Sequence, residues 1–403
     1  MKKFLGTLFL ISFVLLNNVS GGTSIFGFGS GLVGSFRYPY SVSALGRGGS
    51  EMGFIDSLSI NQLNYALWTK LERTSISLNF RYIGIRTEFY DEHITSNDGK
   101  FMGGFITLPL MRKKLVLGVG LAPRLMSDIG IKITNVGPDE RTVVKVQSKG
   151  NLSEATLVGS FSFISGLSFA VETGYDFGMI TDKTAILFNR LAYSDIIIID
   201  EYQMQGINYG LNCFYEISDK FNLGLKYKST TDLTIHDERK SSNLPSSVKQ
   251  TRTVSIPMLI AGGLTYKMGD LWQTGLDLVY QDWASSYRID DQKVENVNDS
   301  YRLGLGFEKS PVERRFVPYI QEITWRGGMF FSRLNITSEN NPVYEYGVTM
   351  GIGLPIRKNR SCINIAFEFG QRGSLESSNL KERFFGVALS LSSSEQWFVR
   401  EKR

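Results

Sequence analysis

The spacing of strand-like segments is the strongest constraint in this sequence. Fourteen segments alternate large apolar residues with small or polar ones, and turn residues separate them. The connections alternate in length, as where Ser165–Gly166 is followed by Gly178–Gln205. The segments are Ser75–Ile83, Gly103–Leu110, Lys114–Ala122, Ala155–Phe163, Leu167–Phe177, Gly206–Ile217, Phe221–Thr231, Val254–Lys267, Leu271–Trp283, Ser300–Phe307, Trp325–Ser332, Tyr344–Ile356, Ser361–Gly370 and Arg383–Ser392.

Short turns at one end, longer loops at the other and an even strand number are typical of a transmembrane β-barrel. A soluble sandwich gives no reason for this alternation of connection lengths. One connection, Glu308 to Thr324, is long where the rhythm requires a short turn. The sequence therefore predicts an all-β fold, a transmembrane antiparallel β-barrel of about fourteen strands.

The N-terminus has the organisation of a secretory signal peptide. Lys2 and Lys3 precede an apolar run, Phe4–Leu16, that is too short to span a bilayer well. After it, no apolar run approaches the roughly 20 residues of a membrane helix. We expect a cleaved signal peptide at 1–21, a segment without clean alternation at 22–73, the barrel at 74–398 and a charged tail at 399–403. Such a precursor belongs in the bacterial outer membrane.

Composition argues against several other classes. The net charge is +5 but the charges are scattered, so we expect no nucleic-acid partner. Cys213 and Cys362 fall in predicted strands, which disfavours a disulfide scaffold. His93 and His236 fall in predicted loops without catalytic or zinc-binding spacing. The glycine-rich stretch 29–34 follows no strand, so it is no dinucleotide site. We expect no catalytic residue, no metal and no cofactor.

The segment before the first strand resembles a known family. The run Ala44-Leu45-Gly46-Arg47-Gly48-Gly49, followed by Asp56 and by Ile60-Asn61-Gln62-Leu63-Asn64-Tyr65-Ala66, is similar to the N-terminal segment of the long-chain fatty acid transporter (FadL-like) outer-membrane family. The chain's end, from Glu382-Arg383-Phe384-Phe385 to Trp397-Phe398, is similar to the closing strand and tail of one branch of that family. Gln62 and Tyr65 stand where the family often has prolines.

The resemblance implies a passage for hydrophobic small molecules such as long-chain fatty acids, by passive diffusion through a plugged barrel. It implies release past the plug or through the barrel wall, and a fourteen-stranded barrel. The expected partners are the hydrophobic ligand, outer-membrane lipids and the barrel assembly machinery. The resemblance also implies that 22–73 forms an N-terminal plug or hatch segment of the β-barrel, with Gly46, Gly48, Gly49, Asn61 and Asn64 as plug residues.

Charged residues on the polar face of the strands are predicted to point into the lumen. They are Glu172, Asp176, Lys226, Lys228, Asp277, Arg302, Glu308, Arg326 and Glu368. Ion pairing that holds the barrel together explains most of them. The alternative is that Lys226, Arg302 or Arg326 binds the carboxylate of an amphipathic ligand.

The predicted external loop that contains 185–193 has apolar residues at helical spacing. Leu187, Phe188 and Leu191 either pack beneath the loop or capture ligand from outside.

Two other functions compete with a passage for hydrophobic molecules. One is an outer-membrane barrel that binds protein cargo in a secretion system, as a branch of the resembling family does. The other is a soluble secreted β-protein, which detergent-free extraction would reveal.

Overall fold

The computed structural model describes residues 24, 26, 35–56, 58–89, 92–134, 142–188, 194–243, 246–295, 297–312, 317–338, 341–356 and 360–395. The predicted signal peptide at 1–21, Leu191, the aromatic pair Trp397-Phe398 and the tail at 399–403 lie outside these residues. The predicted domain boundaries that depend on those segments therefore stay predictions.

Fourteen antiparallel barrel strands close into a single sheet. Four of the nineteen strand elements are halves of interrupted barrel strands: β8 continues as β9, and β10 as β11. Three short elements, β1, β13 and β14, are not among the fourteen barrel strands. The elements are β1 (Ser35–Phe36), β2 (Thr74–Phe89), β3 (Glu92–Met111), β4 (Leu115–Thr134), β5 (Thr142–Ile164), β6 (Leu167–Phe188), β7 (Ile196–Glu216), β8 (Phe221–Lys228), β9 (Thr231–Ser241), β10 (Val248–Ile256), β11 (Leu259–Met268), β12 (Trp272–Gln281), β13 (Arg288–Ile289), β14 (Gln292–Lys293), β15 (Ser300–Lys309), β16 (Thr324–Ser338), β17 (Asn341–Ile356), β18 (Ser361–Ser374) and β19 (Leu380–Glu395).

The sheet closes where β19 pairs with β2, from Leu380 opposite Phe89 down to Glu395 opposite Thr74. Closure pairs the last barrel strand with the first and so removes two open edges, which the hydrocarbon interior of a membrane would leave without hydrogen-bond partners. Side chains alternate along each strand: Val171 is exposed on the outer wall, whereas Glu172 is 1% exposed within. The predicted strand number and the predicted barrel are confirmed.

Aromatic side chains cover the outer wall at both edges of its apolar band. Phe161 and Phe169 lie near the short turns, and Tyr175 and Phe177 stack with ring centroids 5.9 Å apart at the other edge. Such girdles mark the two membrane interfaces, and the short turns identify the periplasmic end. The barrel therefore stands with its long connections outside the cell.

The predicted long loops are largely strand. β5 spans 23 residues and β6 spans 22, about twice the length needed to cross a membrane. The prediction ended these strands too early because the outward face becomes polar above the membrane, at Lys149 and Lys183 for example. The loop predicted around Leu187 and Phe188 is wrong, since both residues belong to β6 and pair with β5.

The irregular connection after β15 is real. Residues between Lys309 and Thr324 include a short helix, Tyr319–Glu322, at the periplasmic end. Tyr319 and Ile320 on this helix are 54% and 62% exposed. The other short helices among the described residues are Val42–Leu45, the 3-10 helix Tyr65–Lys70, Trp283–Ser286 and Leu375–Ser378. None of the helices in the described ranges is long and apolar enough to cross a membrane.

The wall divides between β3 and β4 on the external side. Their uppermost pair is Gly104 with Leu121; above it β3 pairs with β2, and β4 with β5. The ladder of β4 slips at Arg124, where one extra residue bends the strand. The exposed edge of β4 is taken by β1, with Phe36 opposite Leu125. β1 is two residues long and thus covers the β4 edge only beside Leu125 and Met126.

Candidate functional site: the plug seat and the external cavity

Residues 35–56 and 58–73 lie largely inside the barrel and form the plug. Its backbone rests directly on glycines that line the inner wall. A Cβ atom at Gly351 would lie 3.0 Å from the Cα of Gly46, and one at Gly304 would lie 2.7 Å from the carbonyl oxygen of Gly48. The wall glycines that face the plug occur on neighbouring strands: Gly224, Gly304, Gly306, Gly328 and Gly351 lie against its backbone, and Gly263 and Gly275 lie against its side chains. Only a wall without side chains at these positions admits the plug backbone so closely.

The three predicted plug glycines follow the helix Val42–Leu45. Gly48 and Gly49 have positive φ angles of 68° and 91°, which other residues rarely adopt. Gly48 N donates to Thr349 Oγ1 over 2.8 Å, and Thr349 Oγ1 donates to the carbonyl oxygen of Gly46 over 3.1 Å. The glycine run therefore turns the chain while it bonds to β17.

The two predicted plug asparagines stabilise the turn that precedes the 3-10 helix Tyr65–Lys70. Asn61 Oδ1 accepts from the backbone N–H groups of Leu63 and Asn64, and Asn61 Nδ2 donates to the carbonyl oxygen of Glu51. Asn64 caps the 3-10 helix through the N–H of Ala66 and donates to the carbonyl oxygen of Cys213 in β7. Together they fix the turn to itself and to the wall.

Gln62 and Tyr65, which replace prolines of the resembling family, both use their backbone N–H groups. Gln62 N donates to Glu51 Oε1 over 3.2 Å, and Tyr65 N donates to Asn212 Oδ1 over 3.3 Å. Proline has no N–H, so neither bond would form with the family's usual residue. The departure therefore adds contacts that hold the plug in place.

Asp277 on β12 is an anchor that sequence reasoning placed in the lumen but did not connect to the plug. Its carboxylate accepts from Ser50 Oγ, from Glu51 N at 2.5 Å and from Met52 N at 2.7 Å. Asp277 is 1% exposed, so the N–H groups have no water to replace it. Removing a buried acceptor of this kind costs about 1–3 kcal/mol for each donor left unpaired.

A second anchor joins plug and wall through a chain of alternating charges. Arg47 pairs with Glu308, which also accepts from Arg326 Nε at 2.7 Å. Arg326 continues to Asp56 in the plug at 3.3 Å. The Arg47 guanidinium also lies 4.1 Å from the centre of the Phe54 ring. Arg47 is the one charged residue within the glycine-rich run 44–49. That position is the sequence feature that could have indicated an ion pair with the wall.

The predicted lumenal charges do face inward, and each of the three candidate ligand cations has a carboxylate partner. Lys226 Nζ lies 2.8 Å from Glu172, Arg302 Nη1 lies 3.2 Å from Glu345, and Arg326 pairs with Glu308 and Asp56 as described. These pairs favour the structural interpretation for Lys226 and Arg326. Binding of a ligand carboxylate by any of the three stays a prediction.

A cavity of about 160 Å³ lies between the plug and the external half of the wall. Its lining is amphipathic, with apolar side chains such as Phe26, Ile83, Ile336 and Phe384. Within the described part of the chain, four arginines and two glutamates complete the lining: Arg37, Arg81, Arg302, Arg372, Glu345 and Glu368. The Nε atoms of three of these arginines lack a hydrogen-bond partner among the described residues, namely Arg37, Arg81 and Arg302.

Burial, with the charge of Arg81 adding to it, lowers the pKa of the Arg37 side chain to about 10. Arg37 and Arg81 therefore repel each other, and an anionic group beside them would relieve that repulsion. Among the candidate cations, Arg302 lines this cavity. Arg326 does not line it and pairs instead with Asp56 of the plug. Leu187 and Phe188 are half-buried at the end of β6 and do not line it.

The closed barrel, the inward charges and the seated N-terminal segment define a bacterial outer-membrane β-barrel of the FadL-like channel fold. Solved structures share it at low identity. The toluene transporter TbuX of Ralstonia pickettii aligns with a TM-score of 0.61 at 14% identity, over 88% of this chain and 98% of its own. The CymD monoaromatic hydrocarbon channel gives 0.61 at 12% identity, over 89% and 98%. A Pseudomonas aeruginosa FadL homologue gives 0.60 at 10% identity, over 90% and 99%.

Family membership is more specific. The model of the BamG family matches residues 1–403, and the chain belongs to that family. No curated protein matches the chain.

The glycine seat predicts that two neighbouring glycines respond in opposite ways to substitution. Gly328 faces the plug, and a Cβ there would lie 2.3 Å from the carbonyl carbon of Arg47; Gly327 faces outward with nothing within 4 Å. We expect Gly328→Val to weaken plug docking by about 1–3 kcal/mol through overpacking, and Gly327→Val to leave it unchanged. Trypsin digestion of folded barrel would show faster plug cleavage for Gly328→Val alone. Equal cleavage of both variants would contradict the seat.

Glu51 predicts a pH dependence of plug docking. Glu51 is 1% exposed, and burial raises the pKa of its carboxyl group to about 7. An acid with a raised folded-state pKa stabilises docking fully below its unfolded value near 4.3, and this contribution is lost as pH rises through about 7. We expect the plug to resist trypsin to a higher temperature at pH 5 than at pH 8, by an amount on the order of 1–3 kcal/mol. Glu51→Gln should flatten that difference; an equal pH dependence in Glu51→Gln would exclude this residue.

Proposed function

We propose that this barrel admits hydrophobic small molecules from outside the cell into the cavity above the plug and passes them on by diffusion. The amphipathic cavity carries the proposal, because it combines apolar walls with unpaired guanidinium nitrogens. Amphipathic acids such as long-chain fatty acids match that chemistry best, since a carboxylate gains charge-assisted hydrogen bonds while its chain lies against apolar residues. The solved structures of similar fold include a toluene transporter and a monoaromatic hydrocarbon channel, which supports the class of cargo.

We further propose that cargo leaves sideways through the division between β3 and β4, past the two-residue pairing of β1 with the β4 edge. The plug supports this route because its backbone is bonded to the wall on many sides, through Asp277, Thr349, Asn212 and Asn222 among others. Met102 and Met126 border the cavity near the division. A passage along the barrel axis would require all of those plug bonds to break.

A second candidate function is binding of protein partners, either cargo of a secretion system or the barrel assembly machinery. The BamG family hints at a link with barrel assembly. The exposed Tyr319 and Ile320 on the periplasmic helix give such a partner an apolar surface. Uptake of a fatty acid by proteoliposomes that contain only this protein supports the first function. Failure of uptake, together with co-purification of a protein partner, supports the second.

A disulfide between plug and wall tests the route. A Cβ built at Gly53 lies 3.1 Å from Thr265 Cβ, close enough for a bridge after slight relaxation. We expect the oxidised variant Gly53→Cys/Thr265→Cys to take up fatty acid at the rate of its reduced form, because the plug stays in place during transport. Each single cysteine variant is the control for the oxidant. A large drop on oxidation that reductant reverses would show that the plug moves, and would refute sideways release.

The role of the cavity arginines is tested by comparing Arg302→Gln with Arg326→Gln. We expect Arg302→Gln to slow uptake of a fatty acid by about tenfold and to leave uptake of toluene within twofold, because only the acid uses the guanidinium. Arg326→Gln perturbs the plug seat and should affect both compounds alike. If Arg302→Gln slows uptake of both compounds equally, or of neither, the proposal that Arg302 binds the ligand carboxylate is refuted.

A further inference from the structure

Two arginines face each other on the outer wall where β2 meets β19. Arg86 and Arg383 are direct cross-strand partners, and the side chains of both are 57% exposed. They point outward, because their chain neighbours Ile85 and Phe384 are buried inside the barrel. Like charges directly opposite on one face of a sheet are destabilising. An anion between the two guanidinium groups would remove that cost.

Among the residues that the structure describes, negative charge is scarce there. Glu88 is the nearby carboxylate, at 3.8 Å from Arg86 and 3.5 Å from Arg383. It also serves Lys381 at 3.8 Å. All three distances are long for direct ion pairs, and one carboxylate faces three cations. The cluster therefore keeps a net positive charge toward the membrane surface.

The cluster lies directly above the external aromatic girdle. Phe385, the next outward residue of β19, packs on Phe369 with ring centroids 4.9 Å apart. Beside it, Gly84 pairs with Phe385, and a Cβ at Gly84 would meet nothing within 4 Å. The wall thus has a shallow gap beneath the two arginines, bordered by an aromatic ring. A headgroup at the arginines would place its chains against this gap.

We propose that Arg86, Arg383 and Lys381 bind the phosphate of a lipid headgroup in the outer leaflet. Arginine presents paired N–H donors that match phosphate oxygens, and charge-assisted bonds of this kind are among the strongest in proteins. The height at the aromatic girdle places the cations at headgroup level. This site lies on the opposite face of the wall from the cavity and does not depend on the proposed transport.

Binding of purified lipid A tests the site. The full-length barrel is held in a non-ionic detergent, and native mass spectrometry measures occupancy by bisphosphorylated lipid A and by its dephosphorylated form. We expect wild-type protein to prefer the phosphorylated lipid, and Arg86→Gln/Arg383→Gln to bind it at least about tenfold more weakly. Glu88→Gln should bind several-fold more tightly, because a competing carboxylate is gone. Heat-modifiable migration on gels confirms that each variant is folded.

The matched control is Lys145→Gln/Lys183→Gln, which removes two exposed charges from β5 and β6 further above the girdle. We expect it to bind like wild type. Three results would overturn the proposal: wild-type binding by Arg86→Gln/Arg383→Gln, an equal loss in the lysine control, or no preference for the phosphorylated lipid. Weaker binding by Glu88→Gln would also contradict it, since that would give the carboxylate a structural role.

Discussion

The hydrogen bonds between β19 and β2 turn an open sheet into a cylinder, and the remaining structure depends on them. In a membrane, an open edge would leave backbone N–H and C=O groups without partners, at several kcal/mol for each group. Closure assigns each strand one face toward lipid and one toward a lumen. The lumen must then be filled by another part of the chain, because a barrel of this size encloses more space than wall side chains alone fill.

The plug provides that solution with polar contacts and close packing. Wall glycines let its backbone approach, and wall carboxylates such as Asp277 and Glu308 accept from its N–H groups and from Arg47. Buried charges of this kind hold only when paired, so wall and plug need each other. The external half of the lumen is different, because the arginines that line the cavity there outnumber the carboxylates that line it. This excess of positive charge suits a ligand that carries a negative charge.

Prediction from the sequence succeeded where one pattern was repeated along the chain. The strands crossing the membrane were found because apolar and small residues alternate there, as in Leu167–Phe177. The upper halves of β5, β6 and β7 were missed because the outward face becomes polar in water while the backbone ladder continues. The plug glycines were placed through a resemblance. Their partners were not, because Gly304, Gly328 and Gly351 lie more than 250 positions away and carry no local signature.

The sequence by itself determined the barrel, its strand number and its orientation, because period-two alternation and connection length are local properties that each strand carries alone. The sequence also determined which charged side chains point inward, since the alternation along each strand places Glu172, Asp277 and Arg302 on the lumenal face. Only the tertiary structure decided which of those charges meet. It set Arg47 against Glu308, Gln62 against Glu51, and Arg86 against Arg383, through the register of strands and the path of the plug. Such pairings join distant parts of the chain, and no spacing within the sequence encodes them.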